Sequence, residues 1–230
     1  TTEFVNEEIN KTQRQNVLYE ELGIPFDRPT IFSAKEAFGG VGKFIEFIEK
    51  RSDELCTFIL LPNTSDLQKI RIKGKRLSEA HEWMKTQQVP ADKYTVEIKP
   101  YSDKYLWSTI FVVNDIGVFG EIISGGRQQL TTGVYDGEPP IQFEYNFKNL
   151  VINSDNHGVR EHVLMAISRT KVMDRKKQDV LFQKIGSEFV NYHIKGFFMT
   201  TFSEEFGFWL ADYNKTLGKM YDNFQLSVKI

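Results

Sequence analysis

The order of patterns along the chain predicts an α+β fold with a mostly antiparallel sheet and flanking helices. Three observations carry that expectation. Two apolar runs rich in β-branched and aromatic residues, Tyr105–Asn114 and Ile116–Ile123, flank a short Asn-Asp break and read as neighbouring strands joined by a turn. Ile141, Phe143, Tyr145 and Phe147 alternate with polar residues, the clearest strand period in the chain. The elements run helix, strand, helix, then strands, then helices, then a hairpin, an order that suggests α+β.

The bulk numbers fit such a fold. A chain of 230 residues can bury a core in one large domain or two lobes, and 40% hydrophobic with 26% charged content is ordinary for a globular protein. Twenty-nine basic against thirty-one acidic residues give a net charge of −2, so no global field recruits nucleic acid or an anionic membrane. Cys56 stands alone, which excludes an internal disulfide, and the four histidines have no spacing that forms a zinc signature. No apolar run approaches the roughly 18 residues that would span a bilayer. The opening TTEFVNEEINK is unlike a signal peptide, so a reducing cytoplasm is the expected compartment. It also lacks an initiator Met, which suggests a fragment and leaves room for an additional domain or a protein partner.

Taken in order, Glu7 to Leu22 reads as a short amphipathic helix stopped by Gly23. Thr30-Ile31-Phe32 is a strand, and Ser33 with Glu36 matches a capping box for the helix that follows. Gly39, Gly40 and Gly42 fit neither a dinucleotide fingerprint nor a Walker loop, so a loop or helix kink precedes the apolar face Phe44, Ile45, Phe47 and Ile48. Cys56–Leu61 is a buried strand. Gln68–Lys75 alternates Ile70 and Ile72 against Lys69, Arg71 and Lys73; the basic face is either a solvated edge that resists aggregation or a set of phosphate donors. Ser78 to Gln87 is a helix with Ala80, Trp83 and Met84 inward. Val96-Glu97-Ile98-Lys99-Pro100 reads as an extended polar linker, because Pro100 keeps Lys99 out of a helix. Beyond the central pair of strands, Val159 to Ile167 and Val180 to Tyr192 are helices, with a charged surface stretch from Arg169 to Gln178. Phe197–Phe202 and Phe206–Ala211 form a hairpin ending in Asp212-Tyr213-Asn214, and Lys215 to Phe224 is a last helix.

Four local matches resemble the ATP-grasp family. Leu22-Gly23-Ile24-Pro25 after a helix looks like the entry to its first ATP-binding lobe. Val96-Glu97-Ile98-Lys99 is similar to the segment that holds adenine and ribose. Asp103, six residues beyond Glu97, falls where a second ribose-facing acid is common. Phe208–Asn214 resembles the last strand, ending acid-x-Asn, which binds magnesium. Gly120-Glu121 with Ser124-Gly125 also resembles a step in the nucleotide domain of phosphoenolpyruvate synthases and pyruvate phosphate dikinases, itself of ATP-grasp type.

The resemblance implies a first lobe over 1–93, with the N-terminal helix, and a second over 94–230. It implies ATP and Mg²⁺ as cofactors and a nucleotide plus an unidentified small-molecule acceptor as partners. The implied activity is that of a ligase activating a carboxylate as an acyl phosphate, or of a dikinase-like phosphotransferase. The residues carried over are Glu97, Ile98, Lys99 and Asp103 for the nucleoside, with Lys69 and Arg71 for phosphate. Lys73 and Arg127 fall to the transferred phosphoryl group, and Glu121, Asp212 and Asn214 to the metal. Two departures favour the alternative of a catalytically silent binding or scaffold module: Leu61 stands where the family commonly has a lysine, and Phe197–Phe202 carries no carboxylate. Each candidate has a plainer reading. Asp212 and Asn214 suit a helix cap, Glu97 and Lys99 an exposed linker, and Gly125-Gly126 a hairpin turn. A nucleic-acid-binding role for Lys69, Arg71, Lys73, Lys75 and Arg76 is the least favoured, on the near-neutral charge.

Overall fold

The computed structural model describes residues 19–20, 23–114, 117–146, 149–152, 154–171 and 193–214. It divides into two compact units. The described residues of the first fall within Thr1–Glu21 and Asp27–Asp103, and those of the second within Leu22–Phe26 and Lys104–Ile230. Both sheets are antiparallel throughout, which gives the α+β class read from the sequence.

The first unit holds β1 (Thr30–Ser33), α1 (Ala34–Gly39), α2 (Gly42–Lys50), β2 (Leu55–Pro62), β3 (Ile70–Arg76), α3 (Leu77–Lys85) and β4 (Tyr94–Pro100), in a sheet ordered β1-β4-β2-β3. Period-2 alternation sends Phe58, Leu60, Val96 and Ile98 to one face, where they pack with Phe44, Ile48, Leu77, Ala80 and Met84 of the helices. Phe44 is the hub: its ring lies 5.3 Å from Phe32, 6.4 Å from Phe58 and 5.2 Å from His81, each edge to face. Burying one such side chain contributes about 2–3 kcal/mol.

Two expectations are corrected here. Val96–Lys99 is no linker but part of β4, held between β1 and β2, so the unit boundary follows Asp103 instead of residue 93. Cross-strand pairing overrides what Pro100 and the charges suggest locally. Ser33 stands at the N-cap with extended backbone but makes no side-chain cap, and Glu36 turns away from it. Its Oε1 accepts the Phe44 amide at 3.1 Å and caps α2 across the left-handed turn at Gly40. An internal carboxylate thus occupies the end of the Gly39–Gly42 loop, in keeping with the kink reading.

The second unit is built on β5 (Tyr105–Val113), β6 (Gly117–Ser124), α4 (Gln128–Thr132), β7 (Ile141–Asn146), β8 (Asn149–Ile152), α5 (His157–Arg169), β9 (Gly196–Ser203) and β10 (Gly207–Asn214), in the sheet β10-β9-β5-β6-β7-β8. Phe111 stacks on Phe198 at 5.1 Å in its core, and α5 buries Val159, His162, Val163, Ala166 and Ile167. Asn156 caps that helix by accepting the Val159 amide.

Ile24-Pro25-Phe26, expected at the entry to the first lobe, joins this second unit. Phe26 bridges Leu210, whose amide donates to Pro25 O at 2.6 Å, so the segment covers the outer edge of β10. β8 has no counterpart in the sequence reading. Helices expected over 180–192 and 215–224, the surface stretch over 172–178 and most of the helix over 7–22 lie outside the described residues. No helix among the described residues is long and apolar enough to cross a membrane.

Candidate functional site

In each unit one sheet face is given to the core, and the register decides which side chains share the other. On the first unit's second face, Ile31, Glu97, Ile59 and Arg71 form one cross-strand row from β1 to β3. Lys99, Thr57 and Lys73 form the next. Three of the expected cations and the expected carboxylate therefore share a face. Lys69 is exposed just ahead of β3. Lys75 leaves the group because Gly74, at φ +63°, is an extra residue in the ladder; Lys75 then pairs opposite Cys56 and lies 3.9 Å from Glu79.

Glu97 is the outlier of this face. It is 2% exposed, and neither carboxylate oxygen has a hydrogen-bond partner among the described residues. The Lys99 ammonium is its cation, at 3.8 Å from Oε1, beyond hydrogen-bond reach. A buried carboxylate with its acceptors unmet costs several kcal/mol, and one ammonium at that distance offsets only part of it. Ile98 points the other way, into the core, and its main chain is flanked by ladders on both sides. The β1 ladder stops at Ile98, so from Lys99 onward only β2 flanks the strand. Asp103 is exposed in the loop after β4, past the buried Ser102.

In the second unit, Asp212, Met199, Ile110, Glu121 and Gln142 form one row across β10, β9, β5, β6 and β7. Asn214 stands one step along the same face, opposite Phe197. Asp212 and Asn214 are thus brought together. Glu121 is on the same face but three strands away, about 14 Å at the usual strand spacing, too far to complete one ion's shell with Asp212. Among the described residues no group of three or more His, Cys, Asp or Glu is placed to hold a metal ion.

Arg127 precedes the five-residue α4 and makes no ion pair among the described residues. The glycines before it are not an open cradle. Gly125 donates its amide to Leu106 O and accepts Ser108 Oγ at 2.7 Å. Buried Gln129 staples the loop from both sides, donating to Ser124 O and accepting the Asp136 amide. Neither Ser108 nor Gln129 carried a sequence signal; only the Gly-Gly pair hinted at a constrained turn.

No family model matches the chain, and no curated protein matches it. Solved structures do. It resembles D-alanyl-alanine synthetase A from Vibrio cholerae at 8% identity, over 87% of this chain and 53% of that one, with a TM-score of 0.36. It resembles the macrocyclase MdnC of Microcystis aeruginosa, solved with its precursor peptide MdnA, at 10% identity over 88% and 51%, TM-score 0.40. The ATP-grasp ligase PsnB, complexed with a phosphomimetic variant of its minimal precursor, Mg and ADP, gives 11% over 87% and 48%, TM-score 0.33. PsnB is described as an ATP-grasp ligase, the family the sequence resembles. The chain spans about half the length of each of these three.

Proposed function

We propose that this chain binds Mg-ATP and, in the manner the ATP-grasp resemblance implies, activates a carboxylate of a small-molecule acceptor. The observation that carries the reading is Glu97: a buried, acceptor-only group with both oxygens unmet. A ligand presenting N–H or O–H donors removes that deficit, and a nucleoside has both in its exocyclic amine and ribose hydroxyls. Lys73, Arg71 and Lys99 on the same face, with Lys69 at its margin, have the charge to take phosphate oxygens. Asp103 is assigned to the ribose and Ile98 to main-chain contact only, since its side chain is committed to the core.

Asp212 and Asn214 fit magnesium in chemistry, two hard oxygens two residues apart on one face. Two protein ligands are too few for a cage. They suit an ion that takes the rest of its shell from phosphates and water, and bound magnesium would neutralise charge on the transferring phosphoryl group. Glu121, three strands from Asp212, is better assigned to orienting the acceptor or water. Arg127 and Lys73 are the cations assigned to the phosphoryl group. In the implied reaction an acceptor carboxylate oxygen attacks the γ-phosphorus, the bond to ADP breaks, and an amine or thiol then displaces phosphate from the acyl phosphate.

Calorimetric titration with ATP and magnesium tests the reading. Saturable heat that Glu97→Gln diminishes supports it; no heat at millimolar nucleotide contradicts it. A second reading, a silent module that keeps the fold, is favoured by one observation, the thin metal set among the described residues. Turnover of ATP by the chain excludes it.

A further inference from the structure

The pattern of β10 breaks at one residue. Phe208 and Leu210 are buried, 6% and 0% exposed, and strict alternation would bury the side chain at 212 next. The buried position is instead Tyr213, at 5%. The pairing shows why: Leu210 opposes Thr200, Asp212 opposes Met199, and Ala211 is an extra residue in a β-bulge. Were Ala211 paired in an unshifted ladder, Asp212 would oppose Phe198, a fully buried ring stacked on Phe111, where no carboxylate is tolerable. A bulge turns side chains and also bends and overtwists its strand.

The register beyond the bulge is locked from three sides. The Tyr213 ring sits 4.8 Å from Phe198, and its hydroxyl donates to Lys195 O at 2.7 Å. It fits over Gly196, at φ +152°, where a Cβ would come within 2.5 Å of the ring. The Tyr213 amide donates to Asp212 Oδ1 at 2.8 Å, so the lock reaches the carboxylate.

We infer that the Ala211 bulge, clamped by Tyr213, is a positioning device that aims Asp212 and Asn214 at one shared ion. This rests on the magnesium-nucleotide reading above. Ala211 is a positioning residue; it supplies no ligand.

Two variants test it, each measured for ATP affinity with magnesium and with ATP in EDTA. Deleting Ala211 keeps the pairs Leu210–Thr200 and Asp212–Met199 but straightens the strand. The variant Tyr213→Phe keeps both proposed ligands and the strand length but removes the hydroxyl that holds the bulge to Lys195 O. Both are expected to bind ATP in EDTA like wild type and to lose about tenfold or more of the gain that magnesium gives, as when a group orienting a metal ligand is removed. A merely structural bulge would lower both affinities alike, and that result overturns the inference. So does full retention of the magnesium gain in either folded variant. If the deletion does not fold, Tyr213→Phe decides. A wild type with no magnesium gain overturns the underlying reading and this inference with it, while a wild-type gain that survives both changes overturns this inference alone.

Discussion

Glu97 and His162 are both buried polar side chains with no hydrogen-bond partner among the described residues, yet they lead to opposite expectations. Replacing Glu97 by Gln removes a buried charge at nearly constant volume. The fold is expected to gain stability in chemical denaturation, because burying an unbonded neutral amide costs less than burying an unbonded carboxylate. The same change is expected to weaken Mg-ATP binding roughly tenfold, the worth of a charge-assisted hydrogen bond. A group that stabilises by its absence and binds by its presence belongs to a site; unchanged stability with unchanged affinity would make Glu97 incidental. His162 is 3% exposed, with neither ring nitrogen partnered, between Phe202 at 5.7 Å and Phe208 at 6.0 Å. Burial pushes its pKa down from 6.5 to about 4. The unfolded chain therefore takes up a proton near pH 6.5 that the fold refuses until about pH 4, so stability falls as pH falls through that window. The loss from this one group is about 3 kcal/mol. His193, also lowered to about 4 by burial and then by Lys171, adds a second limb over the same range. Urea titrations of His162→Phe between those pH values are expected to show a shallower acid limb; an unchanged slope would contradict the assignment.

At the scale of elements, β5 and β6 depend on a close approach. A Cβ at Gly120 would collide with Ile110 O and with Phe111, both main-chain-fixed parts of the neighbouring strand. Gly120→Ala is expected to destabilise the second unit by about 3 kcal/mol or more, since neither atom can swing away. A melting temperature within a degree or two of wild type would show that the strands separate easily. Such elements were legible where one face is apolar and the other polar, as in Ile141 to Tyr145, or where an apolar run ends at a turn, as in Phe197 to Phe202. The remainder depended on partners distant in sequence. β4 looks like a linker because Glu97, Lys99 and Pro100 are poor strand formers, and β1 and β2 decide otherwise. Ser33 and Glu36 fit a capping box, but Glu36 finds the α2 amide instead. The bulge at Ala211 shows only as a missed beat between Leu210 and Tyr213, which no local propensity reports.

For the whole molecule, the sequence named candidate residues without showing which of them share a face. Register brings Asp212 to Asn214 and groups Arg71, Lys73 and Lys99 around Glu97, and it separates Glu121 from Asp212 and Asn214. The central claim is that the folded chain holds a magnesium nucleotide. A ligand that binds only the folded state raises the melting temperature by mass action, by about 2.7 kcal/mol of stabilisation at a hundredfold excess over Kd. The measurement is thermal unfolding with and without Mg-ATP, for wild type and for Asp212→Ala. A magnesium-dependent rise of several degrees in wild type, absent in Asp212→Ala, is the result this account predicts. No rise in wild type, or an equal rise in both proteins, would contradict it.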